Sequence, residues 1–253
     1  MRKSNDDYLY IDGQHYDNML RSRNQQSRLD FYLNQANKYG DPVLELACGT
    51  GEIAIMIANE GMLVTGLDFS QKMLDQAIKK SSEKNLKIQW IKEDMTNFNI
   101  KKKFSSILMP GAAMNWILNY KDIESCLFCV KNHLKQDGRF IFDVFNPDLD
   151  ILLKDPSEKY PRFEYPNPHG KGKVIVSGSN AYDRLTQISH FKSYYKIENK
   201  EIVRSVKLRM YFPQELDALL YYNGFKIDNK FGIFDEEPFN SDSNHQIIIC
   251  HKK

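Results

Sequence analysis

The chain has 253 residues, of which 42% are hydrophobic and 27% charged, a balance typical of a globular protein with a substantial core. Lys and Arg total 35 and Asp and Glu 33, so the net charge of +2 gives no electrostatic case for non-specific nucleic-acid binding. No apolar run reaches the ~18–20 residues of a membrane span, and the polar N-terminus lacks a signal-peptide core. We therefore expect a cytoplasmic protein with neither nucleic-acid nor membrane partners.

Residues 1–40 are predicted to form an N-terminal helical lid segment. The stretch "NQQSRLDFYLNQANKYG" predicts a helix, and Gly40 is a natural C-cap for it. Tyr8 and Tyr16, earlier in this segment, are candidate substrate-binding residues that would help to close the lid. The alternative is that both tyrosines only pack between helices.

Strands and helices alternate over residues 41–146. The predicted strands are "PVLELAC", "MLVTGLD", "LKIQWIKED", "FSSILMPG" and "GRFIFDVFN". The helix before the last of them, "KDIESCLFCVKNHLKQDG", is predicted to extend to Gly138. This alternation predicts an α/β fold with a doubly wound, mostly parallel sheet and helices on both faces.

The pattern changes in residues 147–211. Its first part contains several prolines between Pro147 and Pro168 and is predicted to be irregular. Period-two alternation then predicts antiparallel strands joined by turns at 177–180 and 198–200. A helix beginning at Pro213 and two further strands follow. We therefore expect an inserted antiparallel β cap on the substrate side, flanked by the two parts of the sheet domain, 41–146 and 212–253.

The turn after the first strand gives the first chemical signal. Gly49 to Ala54 match G-x-G-x-x-A, and Asp68 follows about 20 residues later, as in nicotinamide or flavin dinucleotide folds. Glu45 and Glu52 flank this turn, and like charges ~4 Å apart cost about 4 kcal/mol at an effective dielectric of ~20, so a pyrophosphate would be repelled. A positively charged nucleoside such as S-adenosylmethionine would be attracted. The alternative for Glu45 is that it caps a backbone amide.

Three stretches carry a family resemblance. "VLELACGTGEIA", "VTGLDFSQKMLDQA" and "IKEDMTNF" occur in this order, and with them the chain resembles the class I S-adenosylmethionine-dependent methyltransferases of small-molecule type. The resemblance covers roughly residues 40–146 and implies a seven-stranded Rossmann-like sheet whose last strand runs antiparallel. Ser105 stands where many members have an acid, and we expect this departure to affect packing more than cofactor binding.

The resemblance also implies roles for individual residues. Glu45 and the backbone of 47–51 would lie beside the methionine part of the cofactor. Asp68 would bind the ribose hydroxyls, and Phe69 would pack on adenine unless it belongs to the core. Asp94 would accept from the adenine amino group unless it is a solvated loop acid. The implied cofactor-binding set is Glu45, Ala47, Gly49, Gly51, Asp68, Phe69, Asp94 and Met95.

The loop after the fourth strand, "PGAAMNWILNY", is expected beside the transferred methyl group. It lacks the Asn/Asp-Pro-Pro-aromatic signature of enzymes that methylate exocyclic amines of nucleic-acid bases, which argues against DNA or RNA as substrate. Asn115 is a candidate catalytic residue. Trp116 is a candidate substrate contact, with a core position as the alternative.

The cap is rich in aromatic residues that would cover the acceptor and exclude water. We assign Tyr195 to substrate binding, and His190, on a predicted cap strand, is a candidate general base. The alternatives are a dimer interface, or the core of the cap itself, for the aromatic residues and a purely structural role for His190. The layout resembles, more loosely, amino-sugar N-methyltransferases and glycine N-methyltransferase-like enzymes.

The other histidines and the cysteines carry weaker signals. Further candidate bases are His15, His133, His169 and His245. We expect His133 at the surface or in a capping position. Cys126 and Cys129 have the spacing of a metal or redox pair, but they lie within a predicted helix, so we expect a structural role for both and no metal site.

These signals together predict an enzyme. We expect an S-adenosylmethionine-dependent methyltransferase that acts on a small-molecule amine or hydroxyl by in-line displacement and releases S-adenosylhomocysteine. Two alternatives stay open, namely a non-catalytic S-adenosylmethionine-binding protein and a nicotinamide-dependent oxidoreductase. The chain is expected to be a monomer or a homodimer formed through the cap.

Overall fold

The structure is a computed structural model that describes residues 12–23 and 25–253. Tyr8, a predicted lid residue, lies outside the described residues. The helices are α1 Gly13–Ser22, α2 Gln26–Tyr39, α3 Glu52–Asn59, α4 Gln71–Glu83, α5 Tyr120–His133, α6 Leu149–Leu152 and α7 Pro213–Tyr222, with a 3₁₀ turn at Ala113–Trp116. The strands are β1 Val43–Leu46, β2 Val64–Asp68, β3 Gln89–Lys92, β4 Phe104–Met109, β5 Leu134–Phe145, β6 Tyr160–Pro166, β7 Lys173–Asp183, β8 Ile188–Ile197, β9 Lys200–Arg209, β10 Phe225–Phe231 and β11 His245–Lys252.

A seven-stranded sheet with the order β10-β11-β5-β4-β1-β2-β3 forms the larger unit, Gln26–Pro147 with Tyr211–Lys253. Strands β1 to β5 pair in parallel, and β11 runs antiparallel to both β5 and β10. The predicted doubly wound sheet with an antiparallel last strand is therefore confirmed. The strand order reverses between β1 and β4, and the crevice at such a point is where open α/β sheets bind ligands.

Alternation along the strands explains why helices cover both faces of this sheet. In β1, Val43 belongs to one buried cluster and Leu44 to another. In β4, Ile107 and Leu108 divide in the same way. Successive side chains of a strand point to opposite faces, so these mostly apolar strands supply two cores at once.

A four-stranded antiparallel sheet, β6-β7-β8-β9, forms the second unit, which comprises Asp148–Met210 and the described part of residues 1–25. The predicted antiparallel insertion is therefore confirmed. The core of this unit contains Met19 and Leu20 of α1 packed with Tyr165, Val176 and Tyr195 of the sheet. Helix α2 belongs to the larger unit.

The predicted turn at 177–180 is wrong, because these residues lie within β7 and pair with β8. The β7–β8 connection falls at 184–187 instead, where Asp183 accepts a hydrogen bond from the Leu185 N–H at 3.0 Å. A Cβ on Gly178 would lie 2.7 Å from the Phe191 ring, so this glycine is required by packing inside the sheet. The β8–β9 turn, in contrast, lies in the predicted place.

Two further local predictions are wrong. The proline-rich stretch contains α6 and the strand β6, which holds Pro161 and Pro166 because it is an edge strand, where a missing N–H is tolerated. Helix α5 ends at His133 rather than Gly138. A Cβ on Gly138 would lie 3.0 Å from two backbone oxygens of the β4 region, so the glycine allows close strand packing.

His133 is buried, which contradicts the expected surface position. Its ring nitrogens are 2.7 Å from the Cys129 carbonyl oxygen and 2.9 Å from the Ile100 backbone nitrogen, so the imidazole links α5 to the segment before β4. Cys126 and Cys129 are free and buried, in agreement with a structural role. None of the helices among residues 12–23 and 25–253 has the length and apolar character needed to cross a bilayer.

Candidate active site

The turn after β1 has a left-handed backbone at three positions. Ala47, Gly49 and Gly51 have φ values of +52°, +54° and +75°. A non-glycine residue at positive φ is uncommon, and such strain clusters at functional sites. A Cβ on Gly51 would lie 2.4 Å from the Trp90 ring, so packing alone already requires glycine there.

Glu45 lies buried in β1, and its Oε2 accepts a hydrogen bond from the Ala54 N–H of α3 at 2.8 Å. Glu45 therefore does cap a backbone amide, which is the alternative role that the sequence left open for it. Burial raises the pKa of Glu45 to about 8, while the Ala54 N–H and the charge of Arg28 act in the opposite direction. The carboxyl is thus poised to ionise when further positive charge approaches.

Asp68 ends β2 and connects two turns. Its Oδ2 accepts from the Gly49 N–H at 2.7 Å, and its Oδ1 accepts from the Ser70 N–H at 2.8 Å. These hydrogen bonds fix the carboxylate at the carboxyl edge of the sheet. The next residue, Phe69, is 54% exposed, which excludes the alternative that it belongs to the core.

Asp94 follows β3, the strand that pairs with β2. Its Oδ1 accepts from the N–H and the hydroxyl of Thr96, at 2.8 and 2.7 Å. Asp94 is half-buried, so it is not a fully solvated loop acid, and Met95 packs partly against the main core. The two acids Asp68 and Asp94 therefore lie at the carboxyl ends of neighbouring strands.

The turn after β4 is held by Asp143 of β5, which sequence analysis missed. Asp143 is buried and accepts from the N–H groups of Gly111 and Ala112 at 2.9 and 2.8 Å and from the Tyr32 hydroxyl at 2.6 Å. Burial and the Asp143 carboxylate raise the pKa of Tyr32 well above its usual value. A single acid in the apolar stretch "FIFDVF" was the available signal, just as Glu45 is in "VLEL".

Asn115 lies in the 3₁₀ turn after this loop and is fully buried. Its side-chain oxygen accepts from the Phe145 N–H at 3.2 Å and so joins the loop to the end of β5. The Tyr211 hydroxyl donates to the Ile117 carbonyl at 2.6 Å and anchors the far end of the loop. Trp116, between them, is half-buried.

Arg28 of α2 is a second residue that sequence analysis missed, since an arginine in an amphipathic helix gives no signal. It is 9% exposed and donates from Nη2 to Glu52 at 3.0 Å. Its Nη1 is 3.7 Å from the position of a Cβ on Gly111, and its Nε is buried without a hydrogen-bond partner among the described residues. A buried cation therefore lies between the start of α3 and the turn after β4.

The remaining predicted residues belong to the four-stranded unit. Tyr195 is 3% exposed and lies in the core of that unit, against which Tyr16 is partly buried. For Tyr195, a place in the core of the cap is the alternative that the sequence left open. His190 is exposed on β8. Binding or catalytic roles for these three residues stay predictions.

The larger unit thus has a reversed strand order at β1 and β4, with acids at the carboxyl ends of β1, β2 and β3. In open α/β sheets this crevice, at the carboxyl ends of the strands, is where ligands bind. Residues 43–138 match the family described as a methyltransferase domain.

Curated relatives support the same class. A protein of Geobacillus sp. (strain WCH70) named as a methyltransferase is 29% identical over 145 residues, which are 55% of this chain and 59% of that relative. The glycine/sarcosine N-methyltransferase of Aphanothece halophytica is 25% identical over 88% of this chain and 81% of its own length. The chain spans about three fifths of the length of the Geobacillus relative.

A solved structure extends the likeness to nearly the whole chain. The S-adenosylmethionine-dependent methyltransferase from Clostridium acetobutylicum ATCC 824 superposes with a TM-score of 0.76 and 20% identity, over 94% of this chain and 96% of that one. At this identity the comparison shows the shared fold alone.

Proposed function

We propose that this protein transfers a methyl group from S-adenosylmethionine to a small-molecule amine. The observation that carries the proposal is the set of acids at consecutive strand ends, Glu45, Asp68 and Asp94, within a methyltransferase domain. S-adenosylmethionine supplies a methyl group on a positively charged sulfur, from which it is displaced in line, leaving S-adenosylhomocysteine.

The residues at this edge fit such a cofactor. Asp68, whose carboxylate is already oriented by two backbone N–H groups, would hold the ribose hydroxyls. Phe69 offers an exposed aromatic face for adenine, and Asp94 an acceptor for its amino group. The buried Arg28, whose Nε has no hydrogen-bond partner within residues 12–23 and 25–253, matches the charge of the methionine carboxylate. Glu45 and the backbone of 47–51 would lie beside the cationic part.

An amine acceptor needs little more than correct placement. Holding the reactants in near-attack geometry can supply about 7–11 kcal/mol of the barrier. The turn after β4, fixed by Asp143 and Asn115, would form one wall of the acceptor site. The relative from Aphanothece halophytica, named for glycine and sarcosine, supports nitrogen as the acceptor atom.

The test is calorimetric titration with S-adenosylhomocysteine, followed by transfer of labelled methyl groups to a panel of small amines and alcohols. Asp68→Asn should weaken binding about 10–100-fold, because a hydrogen bond to a charged group contributes ~1.5–3 kcal/mol. Asp75→Asn, which changes an exposed acid on α4, is the matched control and should bind normally. Binding without any transfer would favour the non-catalytic alternative. Binding of reduced nicotinamide cofactor in its place would favour the oxidoreductase.

A hydroxyl acceptor is the second candidate, and His245 favours it. Nδ1 of His245 lies 3.7 Å from Oδ2 of Asp143. A histidine with a buried acid beside it therefore lies at the same end of the sheet as the strand-end acids. A hydroxyl needs a general base, which typically contributes ~10²–10⁴-fold to the rate. His245→Gln should therefore lower alcohol methylation by that factor, whereas amine methylation should change only slightly. The variant decides between the two acceptor classes.

A further inference from the structure

Three potential metal ligands converge within the four-stranded unit. They are Asp12, His15 and His169, and one ligand atom from each lies within 4.8 Å of the others. Asp12 and His15 belong to the start of α1, whereas His169 lies in the turn between β6 and β7. Two distant stretches of the chain thus bring two imidazoles and one carboxylate together.

The contacts within this cluster resemble those of a site built for an ion. Asp12 uses Oδ1 to cap α1, accepting from the N–H groups of Gln14 and His15, both at 2.9 Å. Its other oxygen, Oδ2, is directed to Nε2 of His169 at 2.7 Å. The carboxylate is therefore oriented by the backbone through one oxygen and presents the second oxygen to His169.

His15 is also held in place by a neighbour. It is 3% exposed, and its Nδ1 lies 2.9 Å from the hydroxyl of the buried Tyr165. Histidine ligands of metals usually have such an outer partner, which fixes the orientation of the ring. The rings of His15 and His169 are 5.2 Å apart, close enough for both to reach one ion.

We propose that Asp12, His15 and His169 bind one divalent transition-metal ion, with Zn²⁺ as the best match. Imidazole nitrogen and carboxylate oxygen are common Zn²⁺ ligands at ~2.0–2.2 Å, which sets tetrahedral ligand atoms about 3.3 Å apart. The 2.7 Å contact between Asp12 and His169 must open by roughly 0.6 Å, and both side chains are exposed enough to move, at 38% and 50%. The ion replaces the proton between Asp12 and His169, this proton is released to solvent, and His169 binds through Nε2 as the neutral tautomer that carries its proton on Nδ1.

A bound ion would link the N-cap of α1 to the turn between β6 and β7. Three protein ligands leave one tetrahedral position, which a water molecule would fill. The site shares no residue with the proposed methyl-transfer set, and metal binding can be measured whether or not the protein transfers methyl groups.

The experiment uses full-length protein without a polyhistidine sequence, stripped of metal by a chelator, and titrated with Zn²⁺ or Co²⁺ alone. Wild type should bind one equivalent, with visible cobalt d–d bands and no thiolate-to-cobalt charge-transfer band. His169→Ala should weaken Zn²⁺ affinity more than about 100-fold, and Tyr165→Phe, which removes only the outer partner, about 10-fold.

His251→Ala is the matched control, because His251 also pairs with an acid, Asp228, at 2.8 Å but has no third ligand in the described structure. It should retain full Zn²⁺ affinity. Equal affinity in wild type and His169→Ala, a thiolate band in the cobalt spectrum, or an equal loss in His251→Ala would each overturn the proposal.

Discussion

Glu45 illustrates how one residue couples burial to ligand charge. Its carboxyl is enclosed in an apolar strand, and desolvation outweighs the Ala54 N–H and the charge of Arg28 in setting the pKa at about 8. At pH 7 the carboxyl is therefore mostly protonated before a ligand binds. A bound cation favours the ionised form, so binding must remove a proton.

Ionisation of Glu45 on binding should make the cofactor affinity depend on pH. Between pH 6 and pH 8, S-adenosylmethionine should bind more tightly as the pH rises, by at most about tenfold per pH unit, and the slope should flatten above pH 8. Calorimetry in two buffers of different ionisation enthalpy measures the proton released. Glu45→Gln is the control, since it cannot ionise and should lose the slope. A slope that persists in Glu45→Gln would assign the proton to another group.

At the scale of elements, Asp143 connects α2, the turn after β4 and β5 through three hydrogen bonds. Asp143→Asn leaves one acceptor oxygen for three donors and directs an NH₂ group at an N–H. We expect a loss of about 1–3 kcal/mol for each buried donor left without a partner. Urea denaturation measures this loss as a lower midpoint with an unchanged slope.

Tyr32→Phe is the matched comparison, because it removes one donor and leaves the carboxylate bonded to both turn amides. It should cost about 1 kcal/mol. The double variant should be less destabilised than the sum of the two single variants, since both remove the same bond. Strict additivity would mean that the tyrosine hydroxyl does not stabilise the turn through Asp143.

The positions of most strands and helices in the sheet domain could be predicted from the sequence, but the roles of two glycines could not. Strands β1 to β5 and their helices follow from hydrophobic periodicity, because burial on both faces leaves nearly continuous apolar runs. Gly178 and Gly138 were misread, because a glycine needed for close packing has the same local signal as a glycine that forms a turn or ends a helix. Only the tertiary neighbours, the Phe191 ring and the β4 backbone, distinguish these roles.

Sequence motifs likewise identified the acids after β2 and β3 but missed Arg28 and Asp143. The first two follow strands at spacings that are fixed by local chain geometry. The other two act through contacts between elements that are distant in sequence, from Asp143 of β5 to the Gly111 turn and from Arg28 of α2 to Glu52 of α3. Such long-range pairs leave no periodic or spaced pattern, so a single sequence cannot specify them.

At the scale of the whole molecule, the two units carry different proposed ligands. Residues 26–147 and 211–253 contain the proposed methyl-transfer site, and residues 148–210 with the described part of 1–25 contain the proposed metal site. A ligand at 100 times its dissociation constant stabilises the state that binds it by ~2.7 kcal/mol. Each ligand should therefore protect its own unit from hydrogen exchange.

With saturating S-adenosylhomocysteine, hydrogen exchange is expected to slow most strongly at the amides of 47–52, 68–70 and 94–97, the turns that follow β1, β2 and β3.

The same experiment tests the predicted lid role of residues 1–40. If Tyr16 and α1 cover the cofactor, amides of Gly13–Ser22 should gain protection with the same ligand concentration dependence as the three turns. Tyr16→Phe is the control for a merely packed tyrosine, since it retains the ring. Protection confined to the turns would leave α1 as a structural part of the four-stranded unit, and protection absent from the turns would contradict the cofactor site itself.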